Sequence, residues 1–318
     1  MFDKELHPEA LSIINDIREA EKSGERIPMY KMDHIEARNA YLAMRSALSP
    51  PTPDVSKILN IQIPVKGKNI NARYYRGINN NNETLLPVTI FFHGGGWVIG
   101  DLDTHDVVCR QLANEGNFDV ISVDYRMGPE YRFPTAINDS IYSINWIANN
   151  AINLPIDNNK IAVCGDSAGG NIAAVCCINQ KINSTTPISF QALIYPSTHF
   201  GSNYPSRKKY DGYILSKLLM NWFEEKYIDK DKLNDWRAAP ILFKDLKNLC
   251  PSLIVVAECD PLRDEGIAYG EALKKAGNDV EIKVFEGQIH GFLTMGARIS
   301  DTNKLIALVS KKISNSFK

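Results

Sequence analysis

One serine stands out for its neighbours. In Gly165-Asp166-Ser167-Ala168-Gly169-Gly170 it has a glycine two residues away on either side. The run before it, Lys160 to Cys164, is short and apolar and reads as a buried strand. The run after it, Asn171 to Ile178, is small and apolar enough for a buried helix. Turning from strand to helix within five residues puts Ser167 at the apex of a tight bend. Its hydroxyl is then exposed above a sheet and its backbone is expected at positive φ. Side chains at 165 and 169 would collide across such a bend, which accounts for both glycines. The G-x-S-x-G pattern alone is weak, since a chain of 318 residues at ordinary composition carries one by accident roughly one time in ten. A glycine-rich helix start can equally bind phosphate through its free N–H groups.

A serine hydroxyl becomes a nucleophile only when a base takes its proton and an acid orients that base. Six histidines compete for the role of base. His290, in Gly287-Gln288-Ile289-His290-Gly291-Phe292, follows the last strand-like run, where a loop at the carboxyl end of a parallel strand can meet Ser167. Asp260 sits likewise after the run Leu253 to Ala257. Glu258, Asp264 and Glu265 lie nearby, but Asp264 and Glu265 fit the first turn of the next helix, where acids complement the helix dipole. Asp260 is therefore the expected orienting acid. The third part is His93-Gly94-Gly95-Gly96-Trp97, after the run Val88 to Phe92. Three glycines let backbone N–H groups approach a substrate oxygen. Gly95 and Gly96, with the amide of Ala168, are the expected oxyanion donors, each worth roughly 3 to 4 kcal/mol of barrier. His93 is expected to hydrogen-bond this loop, with Gly94 and Trp97 as its supporting neighbours.

These residues need a scaffold, and the rest of the chain supplies its pattern. Ile58 to Ile63 and Ile70 to Tyr75 alternate at period two around a Lys66-Gly67-Lys68-Asn69 turn, an antiparallel hairpin at a sheet edge. A polar loop tip is expected at Asn79 to Asn82. Pro87 to Phe92, Asp119 to Val123, Lys160 to Cys164, Ser189 to Ile194, Leu253 to Ala257 and Val280 to Phe285 read as buried strands. Helical stretches at Thr104 to Asn114, Pro134 to Asn149 and Glu265 to Ala276 separate them, and Asp301 to Ile313 closes the chain. Alternating strand and helix means parallel strands with helices on both faces. Two helical patterns, residues 8 to 23 and Asp33 to Leu48, precede any strand. Nearly sixty residues separate Tyr195 from Leu253, with one clear helix, Leu215 to Ile228. Chain inserted there lies over the carboxyl ends of the strands. The expected division is N-terminal cap helices at 1–50, a core at 54–195 and 234–318, and a cap insertion at 196–233.

Composition narrows the function. A net charge of −1 gives no electrostatic case for nucleic acid or an anionic membrane. The start Met1 to Pro8 is acidic where a signal peptide is basic, and no stretch approaches the roughly 18 apolar residues of a membrane span. Six cysteines show no C-x-x-C pair or metal spacing, and most read as small buried residues of a reducing compartment; Cys259, beside Asp260, is the exception, open to a redox role. A soluble, cytoplasmic protein is expected. Asp101-Leu102-Asp103-Thr104-His105-Asp106 looks like a metal cluster but opens a helical pattern, where acids cap N–H groups. Asp124-Tyr125-Arg126 through Phe133-Pro134 is expected to be a structural loop, its course fixed by Asp124–Arg126 and Glu130.

Taken together, His93 to Trp97, Asp124 to Glu130 with Phe133-Pro134, Gly165 to Gly170, Asp260 to Gly266 and His290 to Phe292 resemble the hormone-sensitive-lipase-like family (GDXG, HGGG type) of α/β-hydrolase serine esterases. They occur in the family's order and span about residues 85 to 295. Gly128 and Thr135 stand where the family usually has alanine. The resemblance implies an α/β-hydrolase fold, a mostly parallel sheet with a helical cap. It also implies a serine carboxylesterase with Ser167, Asp260 and His290 as triad, acting on short-chain acyl esters of small molecules. Neither metal nor organic cofactor is needed. An amidase or deacetylase would use the same machinery, and a non-catalytic receptor on this scaffold would lack His290. The last strand, Val280 to Phe285, offers a pairing edge for a homodimer.

Overall fold

The computed structural model describes residues 5–80, 84–151 and 154–318. Asn81, Asn82 and the first four residues, on which two of the readings above partly fall, lie outside that range.

Residues 57 to 76 form the expected hairpin, β1 (Lys57–Val65) and β2 (Lys68–Arg76). After it, strand and helix alternate: β3 (Leu86–Phe92), α3 (Asp106–Glu115), β4 (Asp119–Val123), α4 (Thr135–Asn149), β5 (Ile156–Asp166) and α5 (Ala168–Asn183). The series continues with β6 (Phe190–Ile194), β7 (Ser252–Cys259), α8 (Arg263–Lys275), β8 (Val280–Ile289) and α9 (Asp301–Ser316). The eight strands form one sheet in the order β1-β2-β4-β3-β5-β6-β7-β8. β1 and β2 run antiparallel to their neighbours, and all pairs from β4 to β8 are parallel. From β3 the chain turns one way to β4 and the other way to β5. Such a switch point opens a crevice at the carboxyl ends of the strands.

The buried strands are apolar on both faces because both are covered. In β3, Val88, Ile90 and Phe92 pack into one core and Phe91 into the other. The same split runs through β7, with Ile254 and Val256 on one side and Leu253, Val255 and Ala257 on the other. α4, α5 and α8 cover the first face, while α3 and α9 cover the second. Each of these wholly buried side chains larger than alanine contributes about 1.5–3 kcal/mol by leaving water.

Two helices precede the sheet, α1 (Pro8–Ser23) and α2 (His34–Leu48). α2 starts with a capping box, Asp33 accepting from the Glu36 amide and Glu36 from the Asp33 amide. In the long connection between β6 and β7 lie α6 (Pro205–Lys209), too short to leave a periodic signal, and α7 (Lys217–Tyr227). β8 runs four residues past the expected Phe285, so His290 follows the strand directly rather than a loop. Its pairing with β7 shifts register between Ala257 and Cys259, which allows that extension.

Candidate active site

The bend between β5 and α5 has the strain that the sequence demands. Ser167 sits at φ 56° and ψ −114°, outside the regions that L-residues favour. Its amide donates to Ile194 O at 2.8 Å, fastening the apex to the end of β6. The glycines are steric necessities. A Cβ on Gly165 would meet the Gly169 backbone, and one on Gly169 would overlap the Phe92 carbonyl.

The carboxyl ends of β5, β7 and β8 bring three side chains together. His290 Nε2 lies 2.9 Å from Ser167 Oγ, and its Nδ1 lies 2.7 Å from Asp260 Oδ2. Asp260 is wholly buried, and its other oxygen accepts the Leu262 amide at 2.9 Å. That second bond fixes the carboxylate to the start of α8. The Tyr195 ring packs 4.7 Å from the His290 ring, limiting how far the imidazole can swing. Serine, imidazole and carboxylate thus form one hydrogen-bonded chain, the arrangement that lets an imidazole accept a hydroxyl proton while a carboxylate steadies the resulting charge.

Parallel pairing of β3 with β5 sets Phe92 opposite Gly165, which brings the His93-to-Trp97 loop against the serine. The Gly94 amide donates to Asp166 Oδ1 at 2.7 Å, leaving the next two amides for another acceptor. Gly95 and Gly96 line the same cavity as Ser167. They hold φ of 121° and 59°, conformations that a side chain would oppose. Among the described residues no acceptor takes a bond from their amides or from that of Ala168. His93 binds its own loop, Nδ1 lying 2.8 Å from Gly94 O, and its ring stacks on Tyr125 at 4.4 Å. Burial, then the neighbouring His105, pulls its pKa down to about 4, so it is neutral near pH 7. Trp97 stacks between Tyr227 at 4.6 Å and Phe200 at 5.2 Å.

Asp166 is a site residue whose role the sequence did not disclose. It holds Gly94, lies 3.1 Å from His105 Nε2, and accepts from Tyr195 Oη at 3.4 Å. Burial pushes its pKa up, but the His105 charge and contact, Arg45 and the Gly94 amide outweigh that, and it lies below the ordinary carboxylate value. The metal-like cluster is thereby explained. Asp101 Oδ1 accepts the Thr104 amide at 2.7 Å in the turn before α3, Asp103 and Asp106 accept from Arg73, and His105, the N-cap of α3, makes no side-chain cap and turns inward to Asp166.

One pairing needs correction, and the acids of α8 gain partners. Glu265 lies with Asp264 in the first turn of α8, as expected. It is wholly buried, accepting from the amides of Thr198 and His199 and from Arg207 Nε and Nη2. Asp264 accepts the Ser206 amide, so both acids anchor the connection between β6 and β7. Arg126 pairs with Asp139 at 2.7 Å rather than with Asp124, whose Oδ2 accepts from Asn71. Glu130 does help to fix its loop, but its partner is Arg38 of α2, whose Nη1 and Nη2 reach it at 2.7 and 2.8 Å. Partners so distant in sequence leave no local pattern. Cys259, beside Asp260, is wholly buried, and burial pushes its thiol up to about 12, which leaves it unreactive.

The cavity over Ser167 has a volume of about 320 Å³. Trp97, Phe200, Leu215, Leu219 and Phe223 give it an apolar wall, and Met44 and Arg45 of α2 line it as well.

Comparison with known proteins agrees with this geometry. A sequence profile described as alpha/beta hydrolase fold matches residues 89–294. An ethyl acetate hydrolase of Pseudomonas putida is 32% identical over 310 residues, covering 96% of this chain and 97% of its own. The carboxylic ester hydrolase LipN of Mycobacterium tuberculosis is 36% identical over 299 residues, covering 89% and 77%. Among solved structures, an ester hydrolase from the metagenome of Lake Arreo, complexed with a derivative of bipyridine phosphonate, superimposes with a TM-score of 0.94 at 37% identity, covering 98% and 99%. The chain belongs to the α/β-hydrolase fold family. Within it, it is a serine carboxylesterase of the hormone-sensitive-lipase-like kind.

Proposed function

We propose that Ser167, His290 and Asp260 form the catalytic triad of this esterase, acting through an acyl-enzyme on short-chain esters of small molecules. The observation that carries the reading is the unbroken chain from Ser167 Oγ through both nitrogens of His290 to Asp260, at 2.9 and 2.7 Å. Ser167 Oγ attacks the ester carbonyl as His290 Nε2 takes its proton. The carbonyl oxygen, now an anion, sits among the amides of Gly95, Gly96 and Ala168. His290 then protonates the departing alcohol. A water molecule, deprotonated by the same nitrogen, attacks the acyl-serine and releases the acid, with Ser167 recovering its proton. Asp260 keeps Nδ1 protonated throughout.

Several features support the finer points. A cavity of about 320 Å³ lies at the small end of ligand sites and suits short acyl chains. α1, α2 and the 196–233 segment act as a cap, since side chains from all three line that cavity. Among the described residues no helix is long and apolar enough to cross a membrane. All six cysteines are unpaired, which fits a reducing, cytoplasmic setting. β8 is the last strand of the sheet, and its free edge suits pairing with a second copy.

Purified protein is expected to cleave p-nitrophenyl acetate and butyrate, to be labelled at Ser167 by an organophosphate one-to-one, and to lose both properties in Ser167→Ala. Equal rates in wild type and variant would overturn the assignment.

A further inference from the structure

Four arginines, Arg18, Arg26, Arg45 and Arg207, line the cavity that holds Ser167 and His290, and among the described residues part of Arg26 and part of Arg45 has no hydrogen-bond partner. Arg45, in the last turn of α2, is 4% exposed. Its Nη1 donates to Gly291 O at 3.2 Å and its guanidinium lies 4.7 Å from the centre of the Tyr41 ring. Its buried Nε has no hydrogen-bond partner. Arg26 is half-buried. Among the described residues its Nη1 and Nη2 reach only the Met44 Sδ, at 3.6 and 3.5 Å, and its buried Nε is likewise without a hydrogen bond. A thioether sulfur is a weak acceptor.

The carboxylates at hand do not discharge this pair. Glu21 stands 3.7 Å from Arg26 Nε, beyond hydrogen-bond length, with 35% of its side chain exposed to water. Asp166 feels the charge of Arg45 but already holds the Gly94 amide and faces His105. Arg207, on the same cavity, is by contrast gripped through Nε and Nη2 by Glu265. Burial draws the Arg26 pKa below its ordinary value, Glu21 opposes this, and the positive charge of Arg45 adds to it. One buried and one half-buried cation beside a single half-exposed carboxylate make a site that an entering anion would relieve. The guanidinium fork matches a carboxylate, which it can bind through two parallel hydrogen bonds.

We propose that the preferred substrate is an ester bearing a free carboxylate, held by Arg26 and Arg45 while its ester carbonyl lies on Ser167. Half-esters of short dicarboxylic acids and acylated hydroxy acids are the two classes with that chemistry. The proposal rests on the esterase reading and names the substrate class of the same site.

The test compares kcat/KM within matched pairs at pH 7.5. Monoethyl succinate against diethyl succinate places the carboxylate on the acyl side. O-acetylglycolate against its methyl ester places it on the alcohol side. Wild-type enzyme is expected to favour the charged member at least tenfold in one pair, and that pair identifies the side. Arg26→Gln should bring the ratio below twofold by raising KM for the charged ester. Arg45→Lys, which keeps the charge but loses the fork, should give an intermediate ratio. Because each ratio is taken within one protein, a poorly folded variant loses both esters alike and leaves the comparison intact. Preference for the neutral ester in both pairs, or an unchanged ratio in Arg26→Gln, overturns the proposal. If wild type cleaves the neutral esters, the esterase reading stands whatever the ratio; if it cleaves none of the four but does cleave p-nitrophenyl acetate, the esterase reading stands and this proposal falls.

Discussion

The two walls of the cavity are built by different means. On the sheet side, position comes from the backbone: a serine at positive φ, glycines with no room for a methyl group, and parallel register setting Phe92 against Gly165. On the helical side, position comes from long side chains reaching across sequence. Arg38 of α2 grips Glu130, Arg207 grips Glu265, and Arg45 reaches Gly291. Backbone geometry gives few tolerated residues and a fixed reaction; side-chain bridges can be exchanged singly. The chemistry is thus rigidly specified, and recognition is free to vary.

Substitutions should separate the two walls. The largest effect is expected from Ser167→Ala, which should lower kcat/KM for p-nitrophenyl butyrate by about 10⁴-fold or more while leaving the melting temperature near that of wild type. On the other wall, Arg207→Ala strands the buried Glu265 carboxylate and should cost about 3 kcal/mol in urea unfolding. A loss below about 1 kcal/mol would mean that the amides of Thr198 and His199 suffice to hold that charge. Gly169→Ala forces a Cβ onto the Phe92 carbonyl and should cost about 1–3 kcal/mol. Gly212→Ala, in the α6–α7 connection with open space around it at φ +84°, should cost only about 1 kcal/mol from backbone conformation. Equal losses at the two glycines, compared by thermal melts, would break the contrast.

The smallest effect concerns pH. Hydrogen bonds from Arg38 hold the Glu130 pKa down to about 2, against an ordinary 4.5. The folded value is depressed, so the pair's contribution is complete above pH 4.5 and lost as pH falls toward 2. Glu130→Gln should therefore melt slightly lower than wild type at pH 6, and the gap should shrink by pH 3. A constant gap would place the effect elsewhere than in the charge.

This contrast also explains what could be read in advance. Sterics act within a few residues, so Gly165, Ser167 and Gly169 disclosed the bend, and the period of α1 disclosed both of its ends. The convergence of Asp260 and His290 on Ser167 was legible because each follows a strand of a parallel sheet. The place of Glu265 in the first turn of α8 was legible, but its partners were not. Its true surroundings, Thr198 to Arg207, lie about sixty residues away. Arg126 failed likewise: Asp124 is near in sequence, but Asp139, one helix turn into α4, is near in space. The unmatched donors of Arg26 and Arg45 exist only once the helices are laid over the cavity.

The segment ahead of the first helix and that helix's first turn attach to the second half of the chain. The His7 amide donates to Gly287 O at 2.9 Å, Glu5 accepts from Lys209 and Tyr210, and Glu9 accepts the Ser300 amide. Their docking places are made after them during synthesis. Leu6, Ala10, Ile13 and Ile14, all buried in the finished fold, stay uncovered until those later stretches are made.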